Sequence, residues 1–341
     1  MKILYIGQYT DGSTSKMRAD RIKAILKPDV FEVIDIHQPF FHTHRFWRSI
    51  GFRYKTGPLI RNINTYIKKN IDDFSVNKFD TIWVDKAVFI SPDTTFLLKN
   101  HTNKLIHFTP DPAFTYHRSK LFFDSLKYYD FLITTKRYEI EDYNNAIKNS
   151  KSTVLYATQG FDKTFHTPVV PFHKKKGVVF IGHYEKERAM VLQKLLDANI
   201  PVILAGIKWE DFAKRNKQML LNYLGCGVFG SKYVETISSG LFALGSISKW
   251  VPEKHTTRTF EIPACGTALL TEKNDELQSF YEDNEVVFYQ DTDDLIQKIH
   301  YYSAHLDELE ALTIRGTQKV HKGGFDYESI IRELLLKIKI Q

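Results

Sequence analysis

The sequence predicts an α/β protein of two doubly wound, Rossmann-like domains facing an interdomain cleft, and three observations carry the prediction. Short apolar runs alternate with longer amphipathic stretches, the βαβ rhythm of a parallel sheet. One Pro- and Lys-bearing segment, 164–176, interrupts that rhythm with Pro168, Pro171 and the run Lys174, Lys175, Lys176, and reads as an interdomain linker. Past it the rhythm restarts. A length of 341 residues is ample for two such domains, each with its own core.

In the first half, strands are expected at 3–6, 31–36, 81–84, 105–108, 131–134 and 154–157, where β-branched and aromatic residues cluster. Helices are expected between them, for example at 17–26, 96–100, 120–128 and 139–148. In the second half the expected strands are 178–181, 202–205, 241–246, the apolar run through Leu269 and Leu270, and 286–289. Helical patterns cover 185–197, 209–224, 233–238, 275–282, 293–303 and 306–321. No short repeat and no low-complexity tract appears.

Composition narrows the class. Apolar content of 43% with 26% charged residues is that of a globular protein. Two cysteines, Cys226 and Cys265, make neither a disulfide framework nor a metal site and suit a reducing cytoplasm. The first seven residues read as a strand running into Gly7, not as a signal peptide. No apolar run approaches the roughly 20 residues that span a bilayer. The thirteen histidines show no metal-ligand spacing, and there is no Walker lysine, Gly-x-Ser-x-Gly elbow or paired Cys-x-x-Cys.

Ligands of doubly wound sheets bind at the carboxyl ends of strands, so candidate residues are sought there. The loop 7–14, with Gly12, Ser13 and Thr14, opens the first helix with glycine and hydroxyl groups, and Arg18 follows; these form the expected acceptor side. His107 and Asp111 flank a turn fixed by Pro110 and Pro112, Asp111 being either a cleft carboxylate or a turn cap. Gly182 and His183 follow the strand at 178–181, and Gly206 the next one. Trp209 lines a base pocket or plugs a gap, while Phe229 and Tyr233 lie in the segment after it. The densest chemistry is Glu253 and Glu261, eight residues apart, with His255, Thr256, Thr257 and Arg258 between them. A helix starting near Thr256 or Thr257 would aim hydroxyls and open backbone N–H groups at an anion, above all a phosphate. Arg258 adds a planar charge suited to phosphate oxygens, and Glu261 a carboxylate that can accept from ribose hydroxyls. Cys265 reads as a small packing residue, not a nucleophile.

The run His255-Thr-Thr-Arg-Thr-Phe-Glu-Ile-Pro-Ala-Cys-Gly266 resembles the CgeB-like, spore-maturation-type family of glycosyltransferases. So do Val179-Phe-Ile-Gly-His183, the pair Gly206 and Trp209, Tyr233, Tyr129-Asp130 before Thr134-Thr-Lys136, and Gln159-Gly-Phe-Asp162 before His166-Thr-Pro168. The similarity covers residues 100–325. It implies a GT-B fold with an acceptor domain at 1–165, a nucleotide-sugar domain at 166–323, and a helix within 324–341 that returns to the first domain. Glu253 and Glu261 then match the two acids of the E-x7-E signature of retaining transferases. The first contacts the donor sugar and the second the ribose; many members carry Asp at the first position, where this chain has Glu. His255, Thr256, Thr257 and Arg258 would meet the diphosphate, and Gly206, Trp209, Phe229 and Tyr233 would shape the base pocket. No cofactor is implied: the nucleoside-diphosphate sugar, of UDP or GDP type, is a co-substrate, and helix termini and cations replace a metal. Retention would let the leaving phosphate deprotonate the acceptor, whereas inversion would need a base, with Asp111 or His107 the candidates. A nucleotide-sugar epimerase and a protein that binds or glycosylates DNA are the alternative readings.

Charge adds one more expectation. Net charge is +7, and between Asp35 and Asp72 there is no acidic residue while Arg45, Arg48, Arg53, Lys55, Arg61, Lys68 and Lys69 interleave with aromatics. Either the aromatics face a core, or the window meets an anionic membrane, a lipid-phosphate acceptor or nucleic acid. The expected partners are a nucleotide-sugar donor and a glycan, glycolipid or lipid-phosphate acceptor, with peripheral contact to an anionic membrane and not with nucleic acid. The expected location is the cytoplasm, at the inner face of the plasma membrane.

Overall fold

In the computed structural model, which describes residues 1–76, 78–115 and 118–340, the chain falls into two units: Met1–Thr158 with Ile330–Gln341, and Gln159–Ser329. In unit 1 the six expected runs are strands β1 (Lys2–Gly7), β2 (Val30–Asp35), β3 (Phe79–Asp85), β4 (Thr102–Thr109), β5 (Phe131–Thr134) and β6 (Thr153–Tyr156). All pair in parallel, in the order β2-β1-β3-β4-β5-β6. Parallel neighbours need crossovers, supplied by helices α1 (Thr14–Leu26), α2 (Gln38–Phe41), α3 (Arg45–Tyr54), α4 (Pro58–Asp73), α5 (Pro92–Asn100), α6 (Lys120–Ser125) and α7 (Ile140–Ile147). Ile63, Ile67 and Ile71 of α4 recur every fourth residue and share one core with Leu4, Ile6, Ile82 and Val84.

Unit 1 also buries a polar network at the carboxyl ends of β1 and β3. Arg18 of α1, only 2% exposed, grips Asp85 twice, Nε to Oδ2 at 2.8 Å and Nη2 to Oδ1 at 3.1 Å. The guanidinium lies 4.6 Å over the Phe108 ring, and Tyr5 donates its hydroxyl to Asp85 Oδ2 at 2.9 Å. Gly7 allows this approach of α1, because an added Cβ would lie 2.8 Å from the Ser15 hydroxyl.

Unit 2 repeats the plan with β7 (Val178–Ile181), β8 (Val202–Ala205), β9 (Leu221–Tyr223), β10 (Phe242–Leu244), β11 (Ala268–Glu272) and β12 (Val287–Tyr289), in the order β12-β11-β10-β7-β8-β9. Its helices are α8 (Lys186–Asp197), α9 (Glu210–Arg215), α10 (Ser231–Ser238), α11 (Arg258–Ala264), α12 (Asp275–Phe280), α13 (Thr292–Ala304), α14 (Leu306–Lys322) and the start of α15 (Tyr327–Lys337). The helix expected over 209–224 is a correction: it stops at Arg215, where Asn216 turns its amide back onto the Phe212 carbonyl at 3.0 Å. Residues 221–223 instead pair with β8 as an edge strand, a tertiary contact overriding the local helical pattern.

The units part at 158/159 rather than at 165/166, because the intervening residues pack into unit 2. Phe161 forms a β-bridge with Asp326 and sets its ring 5.2 Å from His321. The expected linker is likewise packed: Lys175 is 6% exposed and donates to the carbonyl of Ser238, and burial pulls its ammonium pKa down to about 8. From Ile330 onward α15 belongs to unit 1, where Lys104 Nζ donates to the Ile338 carbonyl at 2.8 Å.

Candidate functional site

In an open parallel sheet the ligand crevice forms where the strand order reverses. In unit 2 that place is the carboxyl ends of β7 and β10, because the chain runs from β7 to β8 on one side and returns to β10 on the other. Gly182, His183, the 245–257 segment and the start of α11 follow those strands.

Cations gather at this rim. Arg258, the first residue of α11, donates Nε to the carbonyl of Ile181 at the end of β7, at 3.2 Å. Arg188 of α8 donates Nη1 to Glu185 at 2.8 Å and to the His183 carbonyl at 3.2 Å. Its buried Nε has no hydrogen-bond partner among the described residues. Burial first, then the charges of Arg188 and Arg258, with Lys208 adding to them and Glu185 opposing, hold the His183 imidazole below its ordinary range. Glu253 is close enough to both Arg188 and Arg258 to favour their charged forms. The result is two guanidinium groups and the Lys208 side chain around a neutral imidazole, with Glu253 beside them, an arrangement that suits a diphosphate. Thr257 precedes α11 without a side-chain capping bond, and the buried Thr256 hydroxyl has no partner among the described residues.

Glu261 sits on the next turn of α11, 4% exposed. Tyr233 of α10 donates its hydroxyl to Glu261 Oε2 at 2.5 Å, and His166 Nε2 lies 3.6 Å from Oε1. Burial and the Glu261 charge push the Tyr233 phenol well up, so it stays a donor. His166 Nδ1 lies 3.1 Å from the Asp162 N and 3.2 Å from the Asp162 carbonyl oxygen, which fixes the ring with Nε2 toward Glu261.

Several predicted site residues turn out to be structural. His255 is 2% exposed; its Nε2 accepts from the Gln159 N–H at 3.2 Å, and its Nδ1 lies 3.2 Å from Glu276, so neither nitrogen is left for a phosphate. Trp209 is the plug and not a pocket wall: fully buried against Phe180 and Tyr184, it donates Nε1 to the Gly182 carbonyl at 2.8 Å. Gly206 is needed for that close approach, since an added Cβ would fall 1.8 Å from the Gly182 oxygen. Phe229 stays at the surface, 79% exposed. Arg18 cannot meet an acceptor, being buried and neutralised by Asp85. Gly12 takes a left-handed turn (φ 78°), Ser13 caps α1 by accepting from the Lys16 N–H, and Thr14 is the first helical residue. Asp111 pairs with Lys86 at 2.6 Å, half-buried.

His107 is structural as well. It is 1% exposed, its ring packs 4.5 Å from Phe122, and its Nε2 accepts from the Ala87 N–H at 3.3 Å. Burial lowers its pKa from 6.5 to about 3, so it is no acid–base group at neutral pH. Between those two values the unfolded chain binds the extra proton, and stability rises with pH across the window. Replacing His107 with Leu is expected to flatten the profile by on the order of 2 kcal/mol between pH 7 and 4.5. Urea midpoints of both proteins at the two pH values check this; parallel losses would refute it.

Sequence reasoning missed Arg188, Lys208, Glu185 and His166. Arg188 did leave a trace, because a cation in the first turn of a helix opposes the macrodipole and asks for another role.

Residues 187–336 match a family of domains described as glycosyl transferase-like, a span that holds Arg188, Lys208, Tyr233, Glu253, Arg258 and Glu261. No curated protein matches the sequence. Among solved structures, the chain is similar to sucrose-phosphate synthase from Thermosynechococcus elongatus, at 15% identity and a TM-score of 0.67, over 99% of this chain and 98% of that one. It is similar to Anabaena HepE in complex with UDP and glucose, at 14% identity and a TM-score of 0.62, over 99% of each chain. A UDP-forming trehalose-phosphate synthase from Burkholderia xenovorans, in complex with glucose-6-phosphate, gives 10% identity and a TM-score of 0.67, over 99% of this chain and 100% of that one. The chain is a glycosyltransferase with the GT-B fold. The matched domain of this glycosyltransferase contains all three cations of the rim. Among the described residues no three His, Cys, Asp or Glu side chains come together as a metal site.

Proposed function

We propose that this glycosyltransferase moves a sugar from a nucleoside-diphosphate sugar to an acceptor hydroxyl with retention, as a CgeB-like enzyme of bacterial glycan or glycolipid synthesis. The observation that carries the reading is the rim of Arg188, Lys208 and Arg258 around His183, with Glu253 beside it, at the strand-order reversal of unit 2. Arg258, Arg188 and Lys208 bind the diphosphate, Glu253 takes donor-sugar hydroxyls, and Glu261 offers Oε1 to the ribose while Tyr233 fixes Oε2. UDP is the favoured nucleotide, because HepE was solved with UDP and the trehalose-phosphate synthase is UDP-forming.

In the reaction the sugar–phosphate bond breaks and the acceptor oxygen bonds the anomeric carbon on the same face. The acceptor proton passes to the leaving phosphate. Retention is supported by the fate of the two candidate bases, since His107 lies in the core and Asp111 is paired with Lys86. The anchored Arg188 and Arg258, with Lys208, balance the diphosphate as it leaves, which supports a metal-independent reaction. An exposed Cys226 and a buried Cys265, both thiols, fit a cytoplasmic location.

Thermal-shift measurements with UDP, GDP, dTDP and CMP test the reading, because a ligand that binds only the folded state raises its stability by mass action. UDP at 100 times its Kd should add about 2.7 kcal/mol, and uridine alone should add little. No shift with any nucleoside diphosphate would overturn the proposal.

A further inference from the structure

The window between Asp35 and Asp72 carries seven Lys and Arg and no Asp or Glu. Its aromatics divide between core and surface. Phe40 is buried, and Phe52 packs on Phe40 and Phe89 at ring distances of 5.1 and 5.2 Å. The rest of α3 departs from the ordinary surface helix, whose apolar stripe faces the core. Its one buried residue is Gly51, set so close to Leu59 of α4 that an added Cβ would come within 2.7 Å.

Trp47, Ile50 and Tyr54 recur at i, i+3 and i+7, and Phe46 lies one turn before Ile50. Phe46 is 60% exposed, Trp47 41% and Tyr54 63%, while Ile50 is half-buried. Phe41, beside the start of the helix, is 66% exposed. Arg45, Arg48 and Arg53 flank the stripe, and none of them pairs with a carboxylate among the described residues.

A contiguous apolar stripe of this kind calls for a cover. Trp and Tyr sit well at the level of lipid headgroups, with an apolar body and a polar tip. Arginine stems lie along apolar surface while the guanidinium reaches phosphate. With no carboxylate in the window, nothing on it repels an anionic surface.

We propose that α3 docks in the headgroup layer of an anionic lipid bilayer, with Phe46, Trp47 and Tyr54 inserted and Arg45, Arg48 and Arg53 against lipid phosphates. The half-buried Ile50 beside these aromatics adds aliphatic surface, which favours hydrocarbon over stacked bases and separates this face from a nucleic-acid groove. The docking stands apart from the transferase reading. Its corollary, that the acceptor is carried on a lipid, rests on that reading.

Co-sedimentation of the full chain tests it, with vesicles of phosphatidylglycerol and phosphatidylcholine against phosphatidylcholine alone. The expected result is binding to the anionic vesicles, weakened by salt, with Trp47 fluorescence quenched by brominated acyl chains. Trp47→Phe should keep the binding and lose that quenching. Phe46→Ser with Tyr54→Ser should weaken binding by about tenfold or more, while circular dichroism and melting temperature show the fold intact. Equal binding to neutral vesicles, or absence of quenching, overturns the proposal. It is also overturned if the same substitutions abolish DNA binding or self-association in a chain that does not bind vesicles.

Discussion

Replacing Arg258 with alanine is expected to lower kcat/KM for the sugar donor by about two to three orders of magnitude, the usual cost of removing one preorganised donor from a site of developing negative charge. Arg258 is held for this role before any ligand arrives: its Nε is tied to the Ile181 carbonyl, and although burial opposes its charge, Tyr233, Glu261 and Glu253 maintain it. The loss should concentrate on the diphosphate. Calorimetry is expected to show weaker UDP binding and unchanged uridine binding, and Arg258→Lys should recover only part, because a point charge replaces a planar fork. Unchanged UDP affinity in a folded Arg258→Ala protein would remove Arg258 from the site.

Arg18→Ala is expected to destabilise unit 1 by roughly 3–5 kcal/mol, because it strands the fully buried Asp85 carboxylate. Tyr5 cannot compensate, since its hydroxyl supplies one hydrogen bond and no charge. The double change Arg18→Met with Asp85→Leu should recover most of the loss, as removing both partners leaves no uncompensated charge. Urea unfolding measures both. Equal losses in the single and double variants would show that packing, not charge, holds this corner together.

The strands were legible because a parallel sheet covered on both faces needs continuous β-branched and aromatic runs, and such runs are short and conspicuous. β9 escaped because Leu221, Asn222 and Tyr223 make a three-residue edge whose only reason to be a strand is β8 beside it. At the site, Glu253, Arg258 and Glu261 could be read from spacing, since a helix start orders them. What a strand end cannot reveal is which way its residues point, and successive side chains alternate. His107 and Trp209 lie at or just past strand ends in the sequence, yet both are packed inside. Arg18 and His255 needed partners distant in sequence, Asp85 and Gln159, which no local pattern announces. Arg188 was missed for the same reason, as its meaning depends on Glu253 and Arg258.

The passage of α15 from one unit into the other sets an order of assembly. Unit 2 is one continuous segment, Gln159–Ser329, and can close as soon as that segment is available. Unit 1 begins at Met1 but is completed by Ile330 and the residues after it, where Ile331, Leu334, Leu335 and Ile338 are buried and Ile338 meets Lys104. On the ribosome the usual sequence, first domain first, is therefore reversed at the final step. Unit 1 is finished only after the last residue of unit 2 has been made, and the apolar surface that Ile331, Leu334, Leu335 and Ile338 cover stays open until then.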